Sequence, residues 1–115
     1  MKKILLIDDS DTYTWCLKIY LQHRGYPVKT ACTLKEARAA IQEEMPLVVC
    51  CDLDLPDGTA MELFHTLRRV AGMFQMKNPP VRLLPFFILT ENNDLAIFYM
   101  AVQDDCLRKN PFDFQ

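Results

Sequence analysis

One pattern constrains this chain more than any other: a short, unbroken apolar run that ends on a carboxylate, and it occurs twice. Ile4-Leu5-Leu6-Ile7 stops at Asp8-Asp9, and Leu47-Val48-Val49-Cys50-Cys51 stops at Asp52. Runs of this length without polar alternation are too short for a buried helix and suit strands covered on both faces, the environment of a parallel sheet. Phe86-Phe87-Ile88-Leu89, ending at Thr90, reads the same way; Tyr26 to Ala31 reads as a shorter strand, and Cys106-Leu107, running into Lys109, as a weak fifth. Helical spacing fills the intervals. Tyr13, Cys16, Leu17, Tyr20 and Leu21 follow the N-cap candidates Ser10 and Asp11 and stop at Gly25. Thr33 and Glu36 form a capping box ahead of Leu34, Ala37, Ala40 and Ile41. Ala60, Leu63, Phe64, Leu67, Val70 and Ala71 keep helical spacing up to Gly72, and Leu95, Phe98, Tyr99 and Val102 predict a further helix capped by Asn92 or Asn93. Met73 to Pro85, with three prolines, is the one long connection.

Strands alternating with helices imply parallel pairing through right-handed crossovers, hence an α/β fold built on a doubly wound, five-stranded parallel sheet. A length of 115 residues suits a single domain over 1–115, since a globule of this size hides roughly two thirds of its unfolded surface in one core. In such sheets the carboxyl ends of the strands share one edge, where ligands bind. That edge collects Asp8, Asp9, Asp52, Thr90 and Lys109.

Composition narrows the function further. A formal charge of −2 lacks the basic excess that a nucleic-acid surface needs. No apolar stretch is long enough to span a membrane, and Met1-Lys2-Lys3 leads into too few apolar residues for a signal peptide, so the expected location is cytoplasmic. Five cysteines, an odd number without a Cys-x-x-Cys pair, and two isolated histidines, His23 and His65, argue against a zinc site or disulfide framework. The cysteines read as small buried hydrophobes in a reducing compartment.

Three carboxylates from neighbouring strands repel one another unless they are exposed, partly protonated or gathered around a cation. A hard divalent ion such as Mg²⁺ suits oxygen ligands of this kind. A carboxylate beside such an ion can attack phosphorus, with a hydroxyl (Thr90) and an ammonium (Lys109) holding the transferring oxygens. Asp11, Asp57 and Asp94 read as solvated turn residues.

The chain resembles, along essentially its whole length, the receiver domains of two-component response regulators. The resemblance rests on Ile7-Asp8-Asp9-Ser10, on Asp52-Leu53-Asp54-Leu55-Pro56-Asp57-Gly58, on Phe87-Ile88-Leu89-Thr90, and on Asp104 to Lys109 with Pro111-Phe112. It implies a flavodoxin-like strand order of 2-1-3-4-5, Asp52 as phosphoacceptor, and Mg²⁺ held by Asp8, Asp9, Asp52 and the backbone carbonyl of Asp54, with Thr90 and Lys109 on the phosphoryl group. It also implies a sensor histidine kinase or histidine phosphotransfer protein as donor, and a downstream output protein or domain as recipient of the signal. Catalysis is then limited to the domain's own phosphorylation and dephosphorylation.

Several positions depart from the family pattern. Glu91 stands where receivers usually carry a small residue, Cys106 where they carry an aromatic, and Asn110 separates Lys109 from Pro111. These changes predict weakened or rerouted coupling from the phosphoryl site to the far surface. The fifth helix that receivers place after the Pro-Phe pair is missing or truncated by Gln115, and self-association into a homodimer is the expected cover for the apolar face this leaves. Two other readings accompany this one: a degenerate receiver that acts as a phosphorylation-independent interaction module, and a haloacid-dehalogenase-like phosphatase, with Asp52 as nucleophile and Asp54 as general acid/base.

Overall fold

The structure, a computed structural model, describes residues 2–75, 82–90 and 94–104. Its elements run β1 (Ile4–Ile7), α1 (Asp11–His23), β2 (Val28–Ala31), α2 (Leu34–Glu43), β3 (Val48–Asp52), β4 (Asp54–Leu55), β5 (Gly58–Thr59), α3 (Ala60–Gln75), β6 (Arg82–Leu89) and β7 (Leu95–Val102). The main sheet has the order β2-β1-β3-β6-β7, and β4 and β5 form a separate two-stranded ribbon. With the ribbon set aside this is the flavodoxin-like order 2-1-3-4-5. The first three pairings are parallel, with Leu6 level with Thr30 and Cys50, and Asp52 level with Leu89.

The fifth strand departs from expectation. Leu95–Val102, predicted as a helix, is a strand that folds back antiparallel on β6, with Phe87 opposite Ile97 and Leu89 opposite Leu95. All eight residues are apolar, so the spacing i, i+3, i+4, i+7 and strict alternation fit them equally well. The link decides: Thr90 to Asp94 is too short for a crossover, and the Thr90 N–H donates to the Asp94 carbonyl (2.9 Å), closing a hairpin. The strand expected at Cys106-Leu107 lies outside the described residues, as do the proposed caps Asn92 and Asn93, Glu91, Lys109, Asn110 and Gln115. The connection expected over Met73 to Pro85 is shorter than read, because α3 runs on to Gln75 and β6 already starts at Arg82.

One face of the sheet is well covered. Leu5, Ile7, Val49, Cys51, Leu84, Phe86, Ile88, Met100 and Val102 pack with Leu34, Ala37 and Ile41 of α2 and Ala60, Leu63, Phe64 and Leu67 of α3. Phe64 meets Phe86 edge-to-face at 5.4 Å between centroids. The other face carries α1 alone among the described helices. There the inward stripe is Thr14, Leu17, Lys18 and Leu21, while the predicted stripe members Tyr13, Cys16 and Tyr20 are exposed. With no flanking helix among the described residues, α1 buries only the narrow strip that touches the sheet. Beyond it Leu83, Leu95, Ile97 and Tyr99 stand exposed, Tyr99 at 60%.

Helix ends set the loops that reach the site. Gly25, at φ +87°, ends α1 in the left-handed conformation, with its N–H on the Gln22 carbonyl and that of Tyr26 on the Leu21 carbonyl. At α2 the Thr33 hydroxyl accepts from the Glu36 N–H (3.1 Å) and the Glu36 carboxylate accepts from the Cys32 N–H (2.8 Å). Parallel β1 and β3 therefore deliver Asp8, Asp9 and Asp52 to one edge.

Candidate functional site

Asp8 and Asp9 follow the last residue of β1, and Asp52 is the last residue of β3; the two strands are adjacent and in register through Ile7 and Cys51. One carboxylate oxygen from each of the three residues lies within 4.8 Å of the others. Asp8 and Asp52 are half-buried and Asp9 is exposed. The Ser10 N–H donates to Asp8 Oδ1 (2.7 Å), which fixes that side chain at the start of α1. Burial pushes the Asp52 carboxyl above its ordinary value, and the charges of Asp8, Asp9 and Asp54 push it further, against a lowering hydrogen bond from the Leu53 amide. This is a set of oxygen donors that a hard divalent cation fits, since the cation removes the repulsion that raises Asp52.

Asp54 lies exposed at the start of the β4–β5 ribbon, close enough in sequence and charge to act on Asp52. Thr90 follows the last residue of β6 at the same edge, but its hydroxyl is engaged in the hairpin: it donates to the Asp94 carbonyl (3.1 Å) and accepts from the Asp94 N–H (3.2 Å). Asp94 is thus a hairpin-closing residue through its backbone. Of the predicted set, the structure brings together Asp8, Asp9 and Asp52, places Asp54 and Thr90 nearby, and leaves Lys109 outside the described residues.

Three features went unread in the sequence. A cavity of about 50 Å³ opens beside the carboxylates on the α1 face, lined by Leu6, Asp8, Tyr13, Thr14, Cys50 and Asp52 among others. Thr14 is 8% exposed, and its Oγ1 has no hydrogen-bond partner among the described residues. Burial raises both the Cys50 thiol and the Tyr13 phenol, with Asp8 adding to each. Only the polar Thr14 within an apolar stripe could have signalled this space. The third feature is Asp57, which is no free turn residue: its two oxygens accept from the N–H groups of Leu34 (2.8 Å) and Lys35 (3.0 Å), at the start of α2. Burial alone would raise its carboxyl, but those amide bonds, its own amide and Arg38 together hold it below the ordinary value. No local signal links residues so far apart in sequence.

The family model for the response regulator receiver domain matches residues 4–112. The chain belongs to that family. It is 29% identical over 112 residues to the transcriptional regulatory protein CrdR of Helicobacter pylori, covering 97% of this chain and 44% of that protein. It is 30% identical over 102 residues to the photosynthetic apparatus regulatory protein RegA of Rhodobacter capsulatus, covering 89% of this chain and 50% of that one. The receiver domain thus spans about half the length of these curated relatives. Among solved structures, the non-phosphorylated HemR receiver domain of Leptospira biflexa superposes with a TM-score of 0.62 at 29% identity, over 78% of this chain and 64% of that one. A response regulator of Burkholderia pseudomallei with a phosphorylated aspartic acid, calcium ion and citrate gives 0.61 at 26% identity, over 78% of this chain and 47% of that one. Receiver domains are signalling domains of two-component systems, which sets the phosphatase reading aside. No helix among the described residues is long and apolar enough to cross a membrane.

Proposed function

We propose that residues 1–115 act as one cytoplasmic receiver unit that takes a phosphoryl group from a phosphohistidine donor onto Asp52, with Mg²⁺, and signals through protein contacts. The observation that carries this reading is the convergence of Asp8, Asp9 and Asp52 on one strand edge. Asp8, Asp9, Asp52 and the Asp54 carbonyl would hold the ion, which supplies charge neutralisation for the entering phosphoryl oxygens. A carboxylate oxygen of Asp52 forms the new bond to phosphorus, the bond from phosphorus to the donor imidazole nitrogen breaks, and that nitrogen keeps the electron pair and takes up a proton. Thr90 and Lys109 are assigned to the phosphoryl oxygens; Thr90 takes this role by exchanging its Asp94 partners. The donor is a sensor histidine kinase or a histidine phosphotransfer protein, and the recipient a downstream output protein or domain. Beyond its own phosphorylation and dephosphorylation the unit has no catalytic task.

A second reading, a phosphorylation-independent interaction module, draws support from the Thr90 hydroxyl already being occupied by Asp94. The exposed Leu83, Leu95, Ile97 and Tyr99 support self-association under either reading. The two readings separate in a titration with beryllofluoride and Mg²⁺, followed by fluorescence of Trp15, an exposed residue of α1. A saturable change in the wild type that is lost in Asp52→Asn supports the phosphoacceptor; no change in the wild type supports the module.

A further inference from the structure

The segment that leaves Asp52 is anchored at two places. At its root the Leu53 N–H donates to the Leu89 carbonyl (2.9 Å) and the Ala60 N–H to the Leu53 carbonyl (2.8 Å), which tie both ends of the excursion to the sheet. Between them the chain makes a narrow ribbon, with Asp54 opposite Thr59 and Leu55 opposite Gly58, turning at Pro56 and Asp57. Leu55 is buried in the core below the turn, and at the tip the Asp57 carboxylate takes the N–H groups of Leu34 and Lys35 at 2.8 and 3.0 Å. The contact is close on a second count. A Cβ added at Gly58 would fall 2.5 Å from Leu34 Cδ1, so the ribbon is pressed onto the first turn of α2.

We propose that Asp57 is a positioning residue for the acidic site, latching the Asp54-bearing ribbon to the amino end of α2. The inference rests on the reading that Asp52 accepts the phosphoryl group and that the Asp54 carbonyl faces the cation. Helix α2 keeps caps of its own, Thr33 on the Glu36 N–H and Glu36 on the Cys32 N–H, so it retains amino-terminal partners without Asp57. Lower in the ribbon the Thr59 hydroxyl accepts from the Glu62 N–H (3.3 Å), but among the described hydrogen bonds only those of Asp57 tie the turn itself to another element. Asp57 therefore governs where the Asp54 backbone sits more than whether α2 forms. It also couples α2 to any movement of the ribbon.

The test is a Mg²⁺ titration of the full chain, read by Trp15 fluorescence, with far-UV circular dichroism alongside. The variants are Asp57→Ala, Asp57→Asn, Thr33→Ala, which removes a cap of α2 alone, and Glu62→Gln, which removes a nearby charge alone. Losing the two anchoring bonds weakens Mg²⁺ binding about fivefold or more in Asp57→Ala. Asp57→Asn, with one acceptor left, falls between Asp57→Ala and the wild type, while Thr33→Ala and Glu62→Gln bind as the wild type does. Equal weakening in Thr33→Ala or Glu62→Gln, or wild-type affinity in a folded Asp57→Ala, overturns the positioning role. A wild type without any Mg²⁺ response overturns the phosphoacceptor reading itself, and the inference with it.

Discussion

Replacing Asp52 by Asn removes one of three like charges whose oxygens converge, and the consequence for folding follows from the geometry. Two unit charges 4.8 Å apart repel by about 1 kcal/mol at the dielectric of water and about 3 kcal/mol at the effective value near a protein surface. Asp8 and Asp52, both half-buried, stand at or inside that separation. Without metal, Asp52→Asn is therefore expected to stabilise the fold by about 1 to 3 kcal/mol at neutral pH and low salt, and by less at high salt. The pH dependence has a definite sign. The Asp52 carboxyl is raised in the folded chain, by burial first and by its acidic neighbours next, so it binds its proton more tightly folded than unfolded. Its contribution is fully present below the ordinary carboxylate value and is lost as pH rises through the raised one. The advantage of Asp52→Asn thus opens as pH climbs through that window. Asp57 and Asp104 act in the opposite sense: burial raises each, but the amide donors on Asp57 and the Lys2 and Arg82 partners of Asp104 prevail, and their stabilisation is lost as pH falls. Urea unfolding in a chelator, followed by circular dichroism, reads these terms. Mg²⁺ at a hundred times its dissociation constant should then add about 2.7 kcal/mol to the wild type and little to the variant. A variant less stable than the wild type in chelator, or equally responsive to Mg²⁺, would refute the electrostatic account of the site.

Thr14→Val keeps the shape but removes a buried hydroxyl without a partner among the described residues, so thermal unfolding should show a gain of about 1 kcal/mol. Gly58→Ala should cost more than Gly25→Ala in urea unfolding: both glycines have positive φ, but only at Gly58 does the new methyl strike Leu34 and Glu62. Ile97→Lys charges the exposed face of β7, and light scattering at rising concentration should show the variant monomeric where the wild type self-associates.

The site was legible because its chemistry sits at strand ends. An apolar run followed by a carboxylate marks both the strand and its exposed terminus, so the sequence alone puts Asp8, Asp9 and Asp52 on one edge. The core helices were legible for a similar reason: α2 and α3 bury a single stripe against a sheet, and their spacing is unambiguous. Leu95–Val102 was not legible, because eight apolar residues satisfy either period and only the short link from Thr90 to Asp94 chooses the hairpin. That choice also occupies the Thr90 hydroxyl, which sequence reasoning had left free for phosphate. The stripe of α1 was misplaced because Tyr13 and Tyr20 look like core, yet among the described residues no helix flanks α1 and both stand exposed. Asp57 escaped because its partners lie 23 residues or fewer away in sequence yet on another element, with no periodicity to link them.

The central claim, that Asp52 is a phosphoacceptor, is tested most directly by intact mass after incubation with a small phosphodonor and Mg²⁺, on the wild type and on Asp52→Asn. The account predicts one acid-labile phosphoryl adduct per chain, dependent on Mg²⁺ and absent from the variant. An unmodified wild type, or an adduct that persists in Asp52→Asn, would contradict it.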